Sequence, residues 1–164
     1  MKLATLCYIK HNHQTLMLHR ITKPNDIHAG KWNGLGGKLE PGESPEACVI
    51  REVREESGLE IHQPRYHGLL IFANFKSEDW YVWVFTADQF SGELRDSSEG
   101  RLGWIPDEAL VAAPKEGGAA LPLWPSDRIF FPWLESGRIF SARFQYADEV
   151  MLGHEVVFYG PTNL

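Results

Sequence analysis

The sequence predicts an α/β fold in which a mixed β-sheet lies between helices. Strand-like segments outnumber helical ones, and the helical segments interrupt them along the chain, as expected of a sheet covered by helices. Residues 80–87 are apolar at both odd and even positions, which is typical of a central strand covered on both faces. The chain has 164 residues, of which 43% are hydrophobic, so we expect residues 1–164 to form a single domain.

The N-terminal part predicts a hairpin followed by a long loop. Residues 3–9 and 15–19 are apolar and β-prone, and the polar run HNHQ separates them. Residues 22–38 are rich in Gly, Pro and Asn, with Trp32 and Leu35 as apolar anchors. Pro41 and Gly42 suit the central positions of a type II turn.

A helix is predicted from Pro45 to Ser57. Ser44 suits the N-cap position, and Pro45 suits the first helical position, where its missing N–H costs nothing. Gly58 suits the left-handed residue that follows a helix.

The rest of the chain predicts further strands and one more helix. A helical turn begins at Pro106, and an amphipathic helix covers residues 126–135. The predicted strands, by apolar content or alternation, are residues 66–75, 80–87, 102–105, 140–146 and 155–159.

The charge balance and the two cysteines restrict the class of protein. The net charge is −6, which argues against binding to a nucleic acid polymer through a basic face. Cys7 and Cys48 form neither a disulfide framework nor a zinc-ligand pattern, so we expect reduced thiols in a cytoplasmic protein. The N-terminus turns polar at Lys10, too early for a signal peptide, and no apolar run approaches the ~20 residues of a membrane span.

The predicted helix 45–57 carries an unusual group of acidic residues. Glu52, Glu55 and Glu56 are spaced i, i+3 and i+4, so their carboxylates share one helical face. Hard oxygen ligands on one rigid element suit Mg²⁺, or Mn²⁺ as a second possibility. Such a triplet taken alone is more often solvated surface, so the surrounding residues decide its interpretation.

Those residues complete a longer motif, Gly-x5-Glu-x7-Arg-Glu-U-x-Glu-Glu-x-Gly-U, where U is aliphatic. It begins at Gly37, continues through Glu43 and Arg51, and ends at Leu59, without a substitution. The run resembles the signature of the Nudix hydrolases. The resemblance implies an α/β/α sandwich and the hydrolysis of a nucleoside diphosphate linked to another group.

The same resemblance implies roles for individual residues. The metal ligands would be Glu52, Glu55 and Glu56, with the Gly36 carbonyl as a further ligand. Glu99 matches a later glutamate that joins the metal site or acts as base, although the run DSSEG around it also suits a solvated loop. Either Glu56 or Glu99 could accept the proton of the attacking water. Arg51 would hold Glu43 by an ion pair.

Two flanking runs resemble the hydrolases of oxidised purine nucleoside triphosphates, which act on 8-oxo-dGTP. They are GKWNGLGG at residues 30–37 and LWPSD at residues 123–127. By this resemblance Asn33 hydrogen-bonds the base edge and Trp124 stacks on it. Since a purine pocket needs aromatic faces, Phe72 and Trp80 are possible further walls. The implied substrate-binding set is completed by Thr5, Lys23, Leu35, Gly36, Gly37, Lys38, Ser126 and Asp127.

Two of these assignments have an open alternative. Lys23 and Lys38 could reach phosphate oxygens, but a single exposed lysine is usually only a solubilising charge. The animal enzymes carry two adjacent aspartates where this chain has Ser126 and Asp127. Because a hydroxyl cannot change between ionised acceptor and protonated donor, the range of purine substrates could differ.

The sequence leaves two other functions open. One is a Nudix hydrolase of ADP-ribose or dinucleoside polyphosphates, although Pro64 lies too near the motif to match the proline of the ADP-ribose type. The other is a nucleotide sensor without catalysis, which usually lacks some motif carboxylates, whereas this chain keeps them all. The expected partner is a small nucleotide, without a membrane, and the protein is expected to be a monomer or homodimer.

Overall fold

A computed structural model of the chain describes residues 1–20, 30–111 and 121–160. Within them, an eight-stranded sheet and a separate two-stranded sheet are combined with short helices. The strands are β1 Lys2–His11, β2 Gln14–His19, β3 Trp32–Asn33, β4 Leu59–His62, β5 Arg65–Phe75, β6 Glu78–Ala87, β7 Gln89–Gly92, β8 Arg101–Pro106, β9 Ile139–Asp148 and β10 Val150–Tyr159. The helices are α1 Pro45–Ser57, α2 Asp107–Val111 and α3 Pro125–Phe130, followed by the 3-10 helix Phe131–Glu135.

The large sheet is mixed, as the sequence predicts. Its order is β10-β9-β5-β6-β1-β2-β3, and β8 also pairs with β2. β1 runs parallel to β6 and β5 runs parallel to β9, whereas the other pairs of this sheet are antiparallel. The strand predicted to be central, β6, lies between β5 and β1.

Helices cover both faces of this sheet and produce two apolar clusters. On one face Val49 and Val53 of α1 pack with Phe85 of β6. On the other face Phe130 and Leu134 pack with strand residues that alternate along the chain with those facing α1. The α/β/α arrangement is therefore confirmed, and the alternation of β1 and β6 gives each face its own core.

The predicted hairpin of β1 and β2 is present. Asn12 and His13 in its turn both have positive φ, as a type I′ hairpin turn requires.

Three other elements differ from their prediction. The predicted helix 126–135 begins at Pro125 and becomes a 3-10 helix at Phe131, next to Pro132, which has no N–H to donate. The pair β4–β7 was not predicted, because both strands have only four residues. The last strand begins at Val150, five positions earlier than predicted.

Across the described ranges, the chain has no helix with the length and hydrophobicity that crossing a bilayer demands. The predicted loop 22–38 is described only from Gly30 onward.

Candidate active site

Helix α1 is held at both ends by its own sequence. The Ser44 hydroxyl accepts the Ala47 N–H at 3.1 Å, and Gly58 closes the helix with φ of 79° while donating its N–H to Arg54. The buried side chains of Val49 and Val53 fasten the helix to the sheet. Its acidic residues are thereby presented on the remaining side.

The glycine-containing segment before α1 runs along β1. Thr5 donates its N–H to the Gly37 carbonyl at 2.9 Å, and Cys7 and Leu35 exchange two backbone hydrogen bonds. Gly36 has φ of 145°, and a Cβ there would lie 2.1 Å from the Thr5 carbonyl oxygen. A glycine is therefore required at position 36 for the segment to approach β1 this closely.

Three carboxylates that the sequence singles out lie close together. Glu56 is 5% exposed and accepts the Gly36 N–H on Oε1 at 2.8 Å. Burial, together with the charges of Glu99 and Glu52, raises the pKa of Glu56 to about 8. Burial also raises the pKa of Glu52. The Glu55 side chain is 59% exposed and therefore lies nearer the protein surface than Glu52 and Glu56 do.

Arg51 links the helix to the preceding loop. Its Nε and Nη2 atoms donate to the two Glu43 oxygens at 2.8 and 2.9 Å, the bidentate geometry of a strong ion pair. This contact lowers the pKa of Glu43 to about 2. The ion pair implied by the resemblance is thus present. Arg51 Nη1 also donates to Glu52 at 2.8 Å and to Glu55 at 3.3 Å.

The carboxylates fit a hard divalent cation, although the side chains are not arranged around one. Among the described residues, no three His, Cys, Asp or Glu side chains meet in a ready metal site. Glu52 and Glu55 are instead engaged by Arg51. The donors are nevertheless all oxygens, and because burial raises the pKa of Glu52 and of Glu56, a bound cation would stabilise their ionised forms.

Glu99 belongs to this group, together with a cation that the sequence analysis missed. Arg20 lies at the end of β2, and its Nη1 is 3.8 Å from Glu99 Oε2. The same guanidinium lowers the pKa of Glu56, against the effect of burial. The position of Arg20 directly after an apolar strand could have marked it as a candidate, but nothing in the sequence indicates that it contacts Glu99.

A mainly apolar cavity of about 360 Å³ has Thr5 in its wall, next to the segment of Gly36 and Gly37 that contacts the carboxylates. Phe72 and Trp80, proposed as walls, both line it. Of the predicted substrate-binding residues, those that line it are Thr5, Asn33, Trp124, Ser126 and Asp127. It is joined to the carboxylates through Thr5, whose N–H binds Gly37.

The polar side chains of the cavity have distinct surroundings. Burial raises the pKa of Asp127 to about 7. Ser126 is 2% exposed, and the Tyr146 hydroxyl donates to its Oγ at 3.2 Å. The Asn33 amide donates to the Lys31 carbonyl at 3.2 Å. Ser126 and Asn33 are thus held by hydrogen bonds to the protein at the cavity wall.

The aromatic side of the cavity contains residues that sequence reasoning missed. Trp124 meets the Phe75 ring edge-on at 5.3 Å between centroids, and Phe75 meets Tyr146 in the same way at 5.0 Å. The predicted alternation over 140–146 places Tyr146 on the same face of the strand as Phe144. This pattern could have suggested Tyr146 as a cavity residue. Phe75 is at the end of a predicted strand and gave no such signal.

The remaining predicted residues lie elsewhere. Leu35 is fully buried in the core on the α1 face and does not line the cavity. Gly36 and Gly37 lie beside the carboxylates rather than in the cavity wall. Lys38 Nζ is 5.6 Å from the centre of the Trp80 ring, at the cavity edge. Lys23 lies outside the described residues.

The chain is similar to known proteins over most of its length. Residues 2–134 match the NUDIX domain family. A mouse protein named oxidized purine nucleoside triphosphate hydrolase is 33% identical over 128 residues, covering 77% of each chain. CTP pyrophosphohydrolase of Escherichia coli is 33% identical over 117 residues, covering 66% of this chain and 71% of that protein.

The fold also has a solved counterpart. The crystal structure of a MutT protein from Bacillus halodurans superposes with a TM-score of 0.79 at 28% identity, covering 95% of this chain and 97% of that one. The family match spans most of the chain, and the motif, the helix that carries it and the overall fold agree with it. The chain therefore belongs to the Nudix hydrolase family.

Proposed function

We propose that the protein hydrolyses oxidised purine nucleoside triphosphates, converting 8-oxo-dGTP to 8-oxo-dGMP and pyrophosphate. The observation that carries this proposal is the cavity of about 360 Å³ next to the Nudix carboxylates. Trp124, Asn33 and Asp127 all line it, so an aromatic face and polar groups are available to the same ligand. The name of the mouse relative supports the same substrate class.

The polar groups suit the edge of an oxidised purine. The edge of 8-oxoguanine carries both carbonyl acceptors and N–H donors. The Asn33 amide can donate and accept, and Asp127, with its pKa near 7, can donate when protonated and accept when ionised. Ser126 already accepts a hydrogen bond from Tyr146. Base discrimination therefore rests mainly on Asn33 and Asp127.

The hydrolytic step uses the carboxylates of α1 and the loop before β8. Glu52, Glu55, Glu56, Glu99 and the Gly36 carbonyl are the proposed ligands of Mg²⁺, or of Mn²⁺. When bound, such a cation neutralises pyrophosphate oxygens and lowers the pKa of water. Glu56 or Glu99 accepts the proton of the attacking water. Arg51 keeps Glu43 and the motif loop in place, and Lys23 and Lys38 bind phosphate oxygens.

A substrate panel tests the proposal. The kcat/KM values for 8-oxo-dGTP, dGTP, 2-oxo-dATP, CTP and ADP-ribose are compared with Mg²⁺ and with Mn²⁺. We expect the highest value for 8-oxo-dGTP. A higher value for CTP or ADP-ribose would assign the protein to another substrate class of the same family.

Variants of the cavity test the base site directly. Asn33→Ala removes one or two hydrogen bonds and Trp124→Ala removes the stacking face, so we expect KM for 8-oxo-dGTP to rise about 5- to 150-fold, with kcat little changed. Trp104→Ala is the control, because Trp104 packs in the cluster on the opposite face of the sheet. Unaltered kcat/KM in both cavity variants would place the base elsewhere.

A further inference from the structure

Lys31 contacts both side chains that are proposed to read the base. Its ammonium Nζ lies 4.3 Å from the centre of the Trp124 ring, within the range of a cation–π interaction. Its backbone carbonyl accepts a hydrogen bond from the Asn33 side-chain amide at 3.2 Å. A single residue therefore touches the aromatic and the polar wall of the cavity.

The lysine approaches Trp124 from outside the cavity. Trp124 lines the cavity, whereas Lys31 is not among its lining residues in the described part of the chain. The ammonium therefore covers the indole without filling the space that a base would occupy. Phe75 contacts the same indole edge-on, so two neighbours restrict its rotation.

The backbone of this segment is itself held firmly. The Lys31 carbonyl also accepts the Arg20 N–H at 3.2 Å, and Trp32 donates its N–H to the Pro122 carbonyl at 2.9 Å. The second bond ties the segment of Asn33 to the segment that precedes Trp124. The Lys31 side chain thus reaches Trp124 from a backbone whose position is fixed on both sides.

We propose that Lys31 is a positioning residue that holds the Trp124 ring in its base-stacking orientation while its carbonyl holds the Asn33 amide. The inference rests on the proposed function for the identity of the base, but its geometric part does not depend on the substrate. Since the carbonyl contact belongs to the backbone, substitution of the side chain tests the Trp124 contact alone.

The first experiment uses the ligand-free protein. The Trp124 indole N–H signal is assigned in a ¹⁵N–¹H NMR spectrum by its loss in Trp124→Phe. We expect the signal to shift or broaden in Lys31→Met, which keeps the length of the side chain and removes its charge, and to remain in place in Lys31→Arg. Arg143→Met, which removes an exposed cation that pairs with Glu155 and does not line the cavity, is the control for net charge. An unchanged indole signal in Lys31→Met would overturn the inference.

The second experiment separates positioning from phosphate binding. We expect Lys31→Met to raise KM for 8-oxo-dGTP and Kd for the nucleoside 8-oxo-deoxyguanosine by a similar factor, about two- to fivefold, with kcat unchanged. Lys31→Arg should restore both. Weaker binding of the triphosphate with unaltered nucleoside binding would identify Lys31 as a phosphate contact instead. An unaltered KM and Kd would equally contradict positioning.

These results are distinguishable from failure of the proposed function. If the wild-type protein prefers another nucleotide, the substrate panel shows it, and the indole signal still reports whether Lys31 holds Trp124. If the indole signal is insensitive to Lys31 while 8-oxo-dGTP remains the best substrate, the inference fails and the proposed function stands.

Discussion

Glu56 is a carboxylate buried beside other carboxylates, with Gly36 as its hydrogen-bond donor. Such a group is costly to keep charged, and burial raises its pKa to about 8. An arrangement of this kind is uncommon where a side chain serves stability alone, and it is typical of sites that bind cations or move protons.

Glu56→Gln should therefore strongly reduce activity without unfolding the protein. The amide oxygen can still accept the Gly36 N–H, and a neutral amide avoids the cost of holding a buried carboxylate charge beside Glu52 and Glu99. We expect kcat/KM to fall at least ~10²-fold, with an unchanged circular dichroism spectrum and no loss of Tm without metal. Wild-type turnover at saturating Mg²⁺ would show that Glu56 has no part in the reaction.

Asp127 predicts a pH dependence of stability. Its pKa is raised to about 7 in the folded protein, so the folded state binds a proton more tightly than the unfolded state does. The contribution of Asp127 to the free energy of unfolding should be most favourable below about pH 4 and should decrease as the pH rises through 7. Urea unfolding of the wild type and of Asp127→Asn, across pH 4–8, measures the difference. A difference that is independent of pH would contradict a raised pKa of Asp127 in the folded protein.

At the scale of secondary structure elements, α1 and the segment along β1 form the site together. The helix supplies the carboxylates, and the backbone pairing of residues 35–39 with β1 brings Gly36 and Gly37 against them. A Cβ at position 37 would lie 2.4 Å from the Glu52 carboxylate carbon. The absence of a side chain at Gly37 thus leaves room for the Glu52 carboxylate, which is a proposed metal ligand.

Gly37→Ala should displace the Glu52 carboxylate. Because displacements of about 1 Å at an active site can reduce the rate about 10²-fold, we expect a loss of kcat of that order. The effect on Tm should be small, since the clash is with the end of a flexible side chain. Gly153→Ala is the matched control, because a Cβ at that position meets no atom within 4 Å. Equal activity of the two variants would show that Glu52 needs no such space.

At the scale of the whole molecule, cation binding should be linked to folding. The carboxylates come together only in the folded chain, because Glu99 and α1 are distant in sequence. A ligand that binds the folded state alone stabilises it by mass action. At a Mg²⁺ concentration of about 100 Kd this is roughly 2.7 kcal/mol, or about 5–10 °C in Tm for a chain of this size.

Thermal unfolding over a Mg²⁺ titration measures this stabilisation. The rise in Tm should shrink in Glu52→Gln and should persist in Glu60→Gln, which removes an exposed carboxylate that pairs with Arg54. An identical rise in the wild type and in Glu52→Gln would show that the stabilising cation binds outside the acidic face of α1.

The elements with strong local signals were predicted well. Helix α1 has the predicted bounds, since Ser44, Pro45 and Gly58 act through contacts within a few residues. The pair β4–β7 escaped prediction, because two four-residue strands about 30 positions apart have no local signal that pairs them. The change from α-helix to 3-10 helix at Phe131 could have been anticipated from Pro132.

The sequence by itself determined the family and the place of the carboxylates. The motif lies within 23 residues, and helical spacing alone puts Glu52, Glu55 and Glu56 on one face. The tertiary structure decided the cavity and the contacts of Arg20 with Glu99 and of Lys31 with Trp124. Those neighbours come from segments up to about 90 residues apart. Strand order and register bring them together, and single-sequence periodicity does not encode which strands become neighbours.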